Sequence, residues 1–535
     1  MAQLTGGRAL VAALAAHEVD TVFGIPGTHN LAVYAHLGAY GIRHVTPRHE
    51  QGAGFAADGY ARVTGFPGVV LTTTGPAVLN AATAIAQAYS DSVPVLLVSP
   101  GMPLDHPATG NGYLHEVKDQ SAALAALTAG SERVTSVAEI PVAVAGAFAA
   151  MSTGRPRPRH LEIPLDLLDE SADVTVVPPI PAPRPAVEDG DVRGAAELLG
   201  FALRPGIVVG GGARGACTEV RRLAERLDAP VVATVGGKGV LPEDHPLALG
   251  TGLHHANVAE FVRDCDVVLA VGTELAPADL WNGPLPAPEL LVRVDIDPAQ
   301  ITANALPDAA VVGDAALVLR ALVAALGPRP QPGRRRAAAT RDAGRAETWR
   351  ARIEDDARAD GRRWLSLLDV LHDALERDGI LVGDSAMVCY YGAIANMPRY
   401  HPRTFLYPTG LGTLGYGLPA AIGAMVGWPD VRVLALHGDG GFMFTAPELA
   451  TAAELGLPLP VVVVDNGGYG EIRHEMRGRG DRPVAVDFAP VDFVGLARSL
   501  GCHGEHVDGP AELAPALEHA FAADRPTVLH IEEEK

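Results

Sequence analysis

Two stretches of the chain carry residues whose types and spacing suit a divalent metal ion. They read VRVLALHGDGG at 431–441 and VVVVDNGG at 461–468. Short apolar, β-branched runs predict buried strands, and a helix between them predicts a parallel pair. Asp439 and Asn466 should therefore meet at one edge of a sheet. A carboxylate, an amide oxygen and free backbone carbonyls are hard ligands that suit Mg²⁺ when a phosphate also holds the ion.

The segment between these strands predicts a helix. Thr445 and Glu448 match the T-x-x-E capping box that marks a helix start. Gly456 is placed to end that helix. The whole stretch is therefore expected to form a β-α-β unit.

A GDG triplet followed by an Asn that ends a strand resembles the signature of thiamine diphosphate (thiamine pyrophosphate, ThDP) enzymes. The resemblance implies that Asp439, Asn466 and the backbone carbonyl of Gly468 hold the Mg²⁺ ion that grips the cofactor's diphosphate. The family usually has Asn-Asn where this chain has Asp465-Asn466. Because only the second position is a ligand, this departure should be tolerable.

ThDP chemistry also needs one carboxylate in an apolar setting to stabilise the imino form of the cofactor's aminopyrimidine. Glu50 fits this role, because it follows a predicted strand and precedes a Gly/Ala-rich helix. In isolation, a Glu at this point would suggest only a charge favoured at a helix start. Leu414, in the segment YPTGLGTLGYGLP, matches the bulky apolar residue that keeps the cofactor bent in this family.

Further cofactor-binding candidates come from segments that resemble the family's cofactor-binding loops. Glycines after the metal strand and the turn 383–387 are placed to offer N–H and hydroxyl groups to the diphosphate. The full set is Pro26, Gly27, Thr74, Asn80, Ser385, Gly410, Leu411, Leu414, Gly438, Gly440, Gly441, Tyr469 and Gly470.

Thr28, His29 and His115 are the remaining catalytic candidates. Thr28 and His29 lie in a loop that enters the active site in this family, and His115 could move a proton near neutral pH. A structural role would explain either His equally well.

Three candidates would contact the substrate: Gln120, Glu471 and Ile472. Glu471 could receive a cationic tail, or it could form a surface ion pair with Arg473.

Length and composition bound the rest. The chain has 535 residues, 48% of them hydrophobic, and a net charge of −21. The negative charge argues against nucleic acid or an anionic membrane as a partner. The four cysteines form no CxxC pair, so they predict free thiols and a cytoplasmic location, not zinc or disulfides. The first residues lack the cationic start of a signal peptide, and no apolar run is long enough to span a membrane.

Alternating helix and strand patterns predict an α/β fold with three doubly wound parallel-sheet domains. The ThDP pyrimidine-binding domain is expected at 1–170, and a Pro-rich linker at 171–190. A central Rossmann-like domain follows at 191–327, although no intact G-x-G-x-x-G supports dinucleotide binding. A second linker is expected at 328–359, and the ThDP diphosphate- and Mg-binding domain at 360–535.

Within the family, the chain is most similar to 5-guanidino-2-oxopentanoate decarboxylases, on segments such as GIPGTHNL and GDGGFMFTAPELATA. The resemblance implies a 2-oxo acid decarboxylase that releases CO₂ and an aldehyde. Acetolactate synthases usually carry a Trp soon after the metal loop, whereas no Trp follows Asn466 here. This argues against an acetolactate synthase and against the FAD that many of them bind.

Two alternatives stay open at this stage. One is an acetolactate synthase-like carboligase that forms an acyloin. The other is a catalytically silent, cofactor-binding paralogue. The family resemblance also implies a homodimer or homotetramer in which Glu50 of one subunit serves Asp439 of its partner.

Overall fold

The computed structural model describes residues 2–107, 110–181, 185–281, 283–326 and 344–533. It confirms the predicted fold class, because three α/β domains are each built on a parallel sheet of six strands. Most of these strands are buried along all or nearly all of their length. Helices cover both faces of such sheets, which explains the continuous apolar runs in the sequence.

The first domain begins with strand β1 and helix α1 and contains the sheet β3-β2-β4-β5-β7-β6. Its strands are β1 Ala2–Thr5, β2 Thr21–Gly24, β3 Arg43–Val45, β4 Gly68–Leu71, β5 Val95–Gly101, β6 Ser131–Arg133, β7 Arg159–Pro164 and β8 Ser171–Val174. Its helices are α1 Gly6–Ala16, α2 Leu31–Leu37, α3 Glu50–Thr64, α4 Pro76–Ser90, α5 Gln120–Ala125, α6 Ile140–Thr153 and α7 Leu165–Asp169, with 3₁₀ turns at Thr28–Asn30, Gly38–Tyr40 and Val137–Glu139.

The central domain contains the sheet β11-β10-β9-β12-β13-β14. Its strands are β9 Pro205–Val209, β10 Val231–Ala233, β11 Ala248–Thr251, β12 Val267–Val271, β13 Leu290–Asp295 and β14 Ala309–Val312. Its helices are α8 Asp189–Phe201, α9 Cys217–Leu227, α10 Ala256–Asp264, α11 Pro277–Leu280 and α12 Ala315–Ala325, with 3₁₀ turns at Gly211–Ala213 and Val235–Gly237.

The third domain contains the sheet β16-β15-β17-β18-β20-β19. Its strands are β15 Ile380–Gly383, β16 Phe405–Leu406, β17 Val433–Gly438, β18 Pro460–Asp465, β19 His503–His506 and β20 Thr527–Glu532. Its helices are α13 Arg345–Gly361, α14 Leu365–Leu375, α15 Ile394–Asn396, α16 Gly417–Gly427, α17 Asp439–Thr445, α18 Glu448–Glu454, α19 Gly470–Gly478, α20 Phe493–Ser499 and α21 Pro510–Phe521, and a π-helical turn spans Val388–Ala393.

The two predicted linkers contain regular structure. In the range 171–190, strand β8 pairs antiparallel with β1. In the range 328–359, the prediction is wrong for the part that forms helix α13, whereas residues 327–343 lie outside the described residues. Trp349, Ile353 and Ala357 give α13 a narrow buried stripe at a spacing of four residues. The many charges around that stripe hid the helix from the sequence pattern. The domain boundaries themselves stay predictions.

The helical segment after β17 also differs from its prediction. Helix α17 starts at Asp439, directly after the strand, and a second helix starts at Glu448. Thr445 does not cap a helix, because its hydroxyl donates to the carbonyl of Gly415 at 2.7 Å. Glu448 accepts a hydrogen bond from Thr451 at 2.7 Å. The predicted capping box is therefore wrong, and both side chains bind other parts of the protein.

Helices α3 and α16 join the first and third domains at very close range. A side chain at Gly59 would collide with the backbone carbonyl of Ala420, and one at Gly423 would collide with that of Ala56. Neither glycine has a positive φ, so they are required for space and not for backbone conformation. The glycines set how near the two domains lie.

We predict that Gly423→Ala destabilises the protein by about 1–3 kcal/mol or more, because the two helices must separate to admit the methyl group. Thermal or urea unfolding of the purified variant measures this. Gly194→Ala on helix α8 is the matched control, since nothing lies within 4 Å of the added carbon. It should be neutral or stabilising by about 0.4–1 kcal/mol. Equal stabilities of the two variants would contradict the assigned role of Gly423.

Candidate active site

Strands β17 and β18 bring the predicted metal ligands together. They run parallel, with Gly438 opposite Val464, so Asp439 and Asn466 both emerge at the same edge of the sheet. The backbone N–H of Asn466 donates to Oδ1 of Asp439 over 3.4 Å. The pKa of Asp439 is raised to about 6, mainly by burial and to a smaller degree by the negative charge of Asp465.

The oxygen atoms at this edge fit a divalent cation. Oδ1 of Asn466 is buried and has no hydrogen-bond partner, which is rare for a buried amide. Gly470 leaves room for that side chain, because an added carbon there would lie 2.6 Å from Asn466. Gly468 adopts a φ of +141°, and its carbonyl oxygen would lie 3.6 Å from an added carbon at Gly440. Carboxylate, amide and carbonyl oxygens make a hard donor set typical of Mg²⁺.

Asp465 has a different task from its neighbour. Its Oδ1 accepts the backbone N–H of Gly467 at 2.8 Å, and its Oδ2 lies 3.1 Å from Nε2 of His530. The residue therefore shapes the turn that presents Asn466. An aspartate serves this purpose, which accounts for its presence where the resemblance leads one to expect a second asparagine.

Leu414 sits in a loop held by a fully buried carboxylate. Asp384 accepts the backbone N–H groups of Gly415 and Tyr416, and Nδ1 of His437 lies 2.9 Å from it. An added carbon at Gly441 would lie 3.4 Å from Leu414, so this side chain borders the metal loop. The sequence pointed to Ser385 but not to Asp384, because nothing local distinguishes a buried aspartate from an exposed one.

The first domain holds the same loop from the opposite side. Asp91 accepts the backbone N–H groups of Thr409 and Gly410, at 3.2 and 2.7 Å. Oε1 of Gln87 accepts the hydroxyl of Thr413 at 3.1 Å. Asp91 also pairs with Arg62 at 2.7 Å. The contacts of Asp91 and Gln87 with the loop join residues more than three hundred positions apart, and no sequence pattern predicts them.

A cavity of about 650 Å³ opens beside the metal ligands, between the third and central domains. It is lined by the metal candidates Asp439, Asn466 and Gly468, by the cofactor candidates Ser385, Leu414, Gly438, Gly440, Gly441, Tyr469 and Gly470, and by the substrate candidates Glu471 and Ile472. A volume of this size suits a small organic ligand.

The other predicted site residues do not line this cavity. Leu411 is exposed on the surface and Gly410 faces the first domain. The candidates from the first domain, namely Pro26, Gly27, Thr28, His29, Glu50, Thr74, Asn80, His115 and Gln120, lie elsewhere. Within one chain, the predicted site is therefore divided into two parts.

The second part surrounds Glu50, the first residue of α3. Nδ2 of Asn80 donates to its Oε2 at 2.9 Å. The turn before Glu50 is fixed by the third domain, because the buried Glu448 accepts the backbone N–H groups of Arg48 and His49, each at 3.0 Å. Glu448 therefore fixes where Glu50 begins its helix.

The predicted catalytic histidines lie side by side. Their ring centroids are 5.1 Å apart, and Nδ1 of His29 lies 2.5 Å from the hydroxyl of Thr74. The pKa of His29 is lowered, mainly by burial and to a smaller degree by the charge of His115. His115 has a left-handed φ of +64°, and its buried Nδ1 lacks a partner. Thr28 is exposed next to this pair.

Gln120 does not fit the role of a substrate contact. Its Oε1 accepts the backbone N–H of Gly75 at 2.9 Å, and its amide nitrogen donates to Ser99 and to the carbonyl of Pro100. The buried side chain is thus fully used inside the protein. We assign it instead to holding Gly75, whose φ of +59° shapes the turn before α4.

Glu471 faces the cavity and does not pair with Arg473. Its Oε1 accepts the hydroxyl of Tyr391 at 2.8 Å, and its Oε2 is buried without a partner. Arg473 instead lies 2.8 Å from Asp487 and donates to the carbonyls of Asn466 and Gly467. The surface ion pair considered from the sequence is therefore wrong.

Three models of family domains match successive parts of the chain. The thiamine pyrophosphate enzyme N-terminal TPP binding domain matches residues 4–123, the central domain matches 192–322, and the C-terminal TPP binding domain matches 386–531. Together they span most of the three α/β domains.

Curated relatives align with nearly the whole chain. A probable 2-ketoarginine decarboxylase of Pseudomonas aeruginosa is 44% identical over 538 residues, which cover 99% of this chain and 94% of the relative. A probable acetolactate synthase large subunit of Methanocaldococcus jannaschii is 35% identical over 562 residues, covering 99% and 92%. The acetolactate synthase isozyme 2 large subunit of Escherichia coli is 34% identical over 545 residues, covering 99% and 95%.

We predict that Asp384→Ala lowers the free energy of unfolding by about 3 kcal/mol, because it leaves several buried donors unpaired. Urea denaturation measures the change. Asp355→Ala, an exposed position on helix α13, is the control and should change stability by less than about 0.5 kcal/mol. A loss no larger than in this control would show that Asp384 does not anchor the Leu414 loop.

Proposed function

Because the chain belongs to the thiamine pyrophosphate enzyme family, we propose that it is a ThDP- and Mg²⁺-dependent decarboxylase of a 2-oxo acid, 5-guanidino-2-oxopentanoate. The observation that carries the metal and cofactor assignment is the buried, unpartnered Oδ1 of Asn466 beside Asp439. The 2-ketoarginine decarboxylase relative supports the choice of substrate.

Different residues of the cavity would bind different parts of the cofactor. Asp439, Asn466 and the carbonyl of Gly468 would hold Mg²⁺, and the glycines after β17 would leave space for the diphosphate. Leu414 would support the bend of the cofactor. When bound, ThDP supplies an electron sink for the pair of electrons that CO₂ leaves behind.

Glu50 and the two histidines would handle protons. Glu50, oriented by Asn80, would hold a proton at the pyrimidine end of the cofactor. Since its pKa is lowered, His29 is neutral at pH 7 and can accept a hydrogen bond or a proton. With Thr28 nearby, His29 and His115 would position the carboxylate that is lost and move a proton as the aldehyde leaves.

Glu471 would receive the cationic tail of the substrate. Glu471 lines the cavity, and its Oε2 is buried with no hydrogen-bond partner. A half-buried carboxylate without a cationic partner is costly, and a guanidinium group would offset that cost. Ile472 lines the same wall and would contact the methylene chain.

A carboligase of the acetolactate synthase type is the second candidate. Two relatives with that name are 34–35% identical over nearly the whole chain. A silent paralogue finds less support, since Glu50, Asp439 and Asn466 are all present. The arguments against FAD stay a prediction from the sequence.

We also propose that two copies of the chain complete each active site. Glu50 does not line the cavity that holds Asp439 in its own chain. Large apolar side chains near both parts, Leu79, Leu411 and Phe444, are exposed, as expected of a surface that another subunit covers. A homodimer or a homotetramer would bury them.

The environment of the protein is the remaining proposal. In the described part of the chain, no helix is long and apolar enough to cross a bilayer. All four cysteines are free thiols, which supports a reducing, cytoplasmic compartment.

The reaction is tested by supplying ThDP, Mg²⁺ and single 2-oxo acids, and by analysing the products. We expect CO₂ and an aldehyde from 5-guanidino-2-oxopentanoate, at a higher kcat/KM than from pyruvate or benzoylformate. An acyloin from pyruvate would favour the carboligase. No turnover of any acid, with ThDP bound, would favour the silent paralogue.

Complementation tests the divided site. Glu50→Gln alone should bind ThDP but lose about 10²- to 10⁴-fold in turnover, and Asp439→Asn should lose Mg²⁺-dependent cofactor binding. Co-expression of the two variants should restore about a quarter of wild-type activity, because half of randomly formed dimers contain one intact site. Glu50→Gln expressed alone is the control. No recovery, with mixed dimers present, would place the whole site in one chain.

A further inference from the structure

The central domain forms one wall of the cavity. Helix α11 and the turn after β11 contribute Gly252, Leu253, His254, Ala278, Asp279 and Trp281 to its lining. None of these residues takes part in the metal or cofactor assignment. These residues therefore have no role in binding the metal or the cofactor, although they face the same cavity as Glu471.

The cavity has an unbalanced negative charge. Asp279, Glu471 and Glu475 line it in addition to Asp439, whereas no Lys or Arg among the described residues does. The pKa of His254 is lowered to about 3, mainly by burial and to a smaller degree by the charge of His255. This residue is therefore neutral at pH 7. In the described part of the chain, Arg473 pairs with Asp487 and Lys238 pairs with Glu243, so neither of these cations neutralises the three carboxylates. A ligand with a positive charge would supply the missing partner.

Asp279 is the carboxylate best prepared for such a ligand. One oxygen, Oδ1, is buried and has no hydrogen-bond partner, and the backbone of Val235 donates to the carboxylate. The pKa of Asp279 is raised to about 7, mainly by burial and to a smaller degree by the negative charge of Asp91. A cation beside it would stabilise the ionised form.

Trp281 adds an aromatic ring to the same wall of the cavity. Its ring stacks on His254 at 3.8 Å and meets Tyr391 edge-on at 5.6 Å, while 42% of the residue stays exposed. Its φ of +41° is unusual for a residue with a large side chain. Strained, exposed aromatic residues are typical of binding sites.

Aromatic contacts link Trp281 to Glu471. Trp281 touches Tyr391, and the hydroxyl of Tyr391 donates to Glu471. Carboxylates combined with aromatic faces are the groups that recognise guanidinium, because this cation is planar, donates in pairs and stacks. An ammonium group can lie over an aromatic face, but it lacks the planar stacking and the paired donors of guanidinium.

We propose that Asp279 and Trp281 of the central domain, together with Glu471, bind the guanidinium end of the substrate and select it against uncharged 2-oxo acids. This rests on the proposed decarboxylase function. The third domain would hold the cofactor, and the central domain would determine which side chain the substrate carries.

The test compares two substrates that differ in charge but hardly in shape, 5-guanidino-2-oxopentanoate and 5-ureido-2-oxopentanoate. The wild-type enzyme should prefer the guanidino acid in kcat/KM. In Asp279→Asn, this preference should fall on the order of 10- to 100-fold, since one charge-assisted hydrogen bond is lost. Trp281→Leu should weaken it as well, without any change of charge. Glu289→Gln, an exposed carboxylate of the same domain, is the control and should keep the wild-type preference.

Calorimetry gives a readout independent of turnover. The ThDP- and Mg²⁺-loaded protein should bind 4-guanidinobutanoate more tightly than 4-ureidobutanoate, and Asp279→Asn should remove the difference. Equal handling of both acids by the wild type, or an unchanged preference in Asp279→Asn and Trp281→Leu, would overturn the proposal while leaving decarboxylation intact. Turnover of neither acid would overturn the decarboxylase function, and the binding comparison would then decide the guanidinium site by itself.

Discussion

The structure depends on the close contact between helices α3 and α16. Because Gly59 and Gly423 carry no side chains, the backbones of the two helices touch, and the first domain is held in one position on the third. Glu50 begins one of these helices, and the Leu414 loop leads into the other. The contact therefore sets the distance between the two parts of the active site within each chain.

Buried carboxylates then fix the functional loops on this frame. Glu448 holds the turn before Glu50, Asp91 holds the start of the Leu414 loop, and Asp384 holds its end. Each accepts backbone N–H groups of a functional loop, and for the buried N–H groups that Asp384 accepts the loss of a partner would cost about 1–3 kcal/mol for each group. Only a few side chains need to take part in the chemistry, because these carboxylates hold the loops that position them.

The sequence predicted well what is decided locally. Apolar runs marked the strands, and the order of strand, glycine turn and strand placed Asp439 and Asn466 at one edge. Predictions failed where the role of a side chain depends on a partner that is far away in the sequence. Glu448 resembled a helix cap but binds residues about four hundred positions away, and Gln120 resembled a substrate contact but holds Gly75. Asp279 and Trp281 belong to a stretch that resembles the guanidino-acid decarboxylases, but the sequence assigned neither residue a role, because that role arises only when the central domain closes the cavity.

A division between cofactor chemistry and substrate choice follows from this arrangement. The predicted metal ligands and the carboxylates that hold their loops lie in the third domain and at its contact with the first, whereas the wall that carries Asp279 belongs to the central domain. Substitutions in that wall can alter the charge and shape of one end of the cavity without moving Asp439, Asn466 or Leu414. Such independence explains how chains with the same cofactor machinery can act on different 2-oxo acids. It also explains why overall identity to a relative is weaker support for a substrate than the few residues at the far end of the cavity.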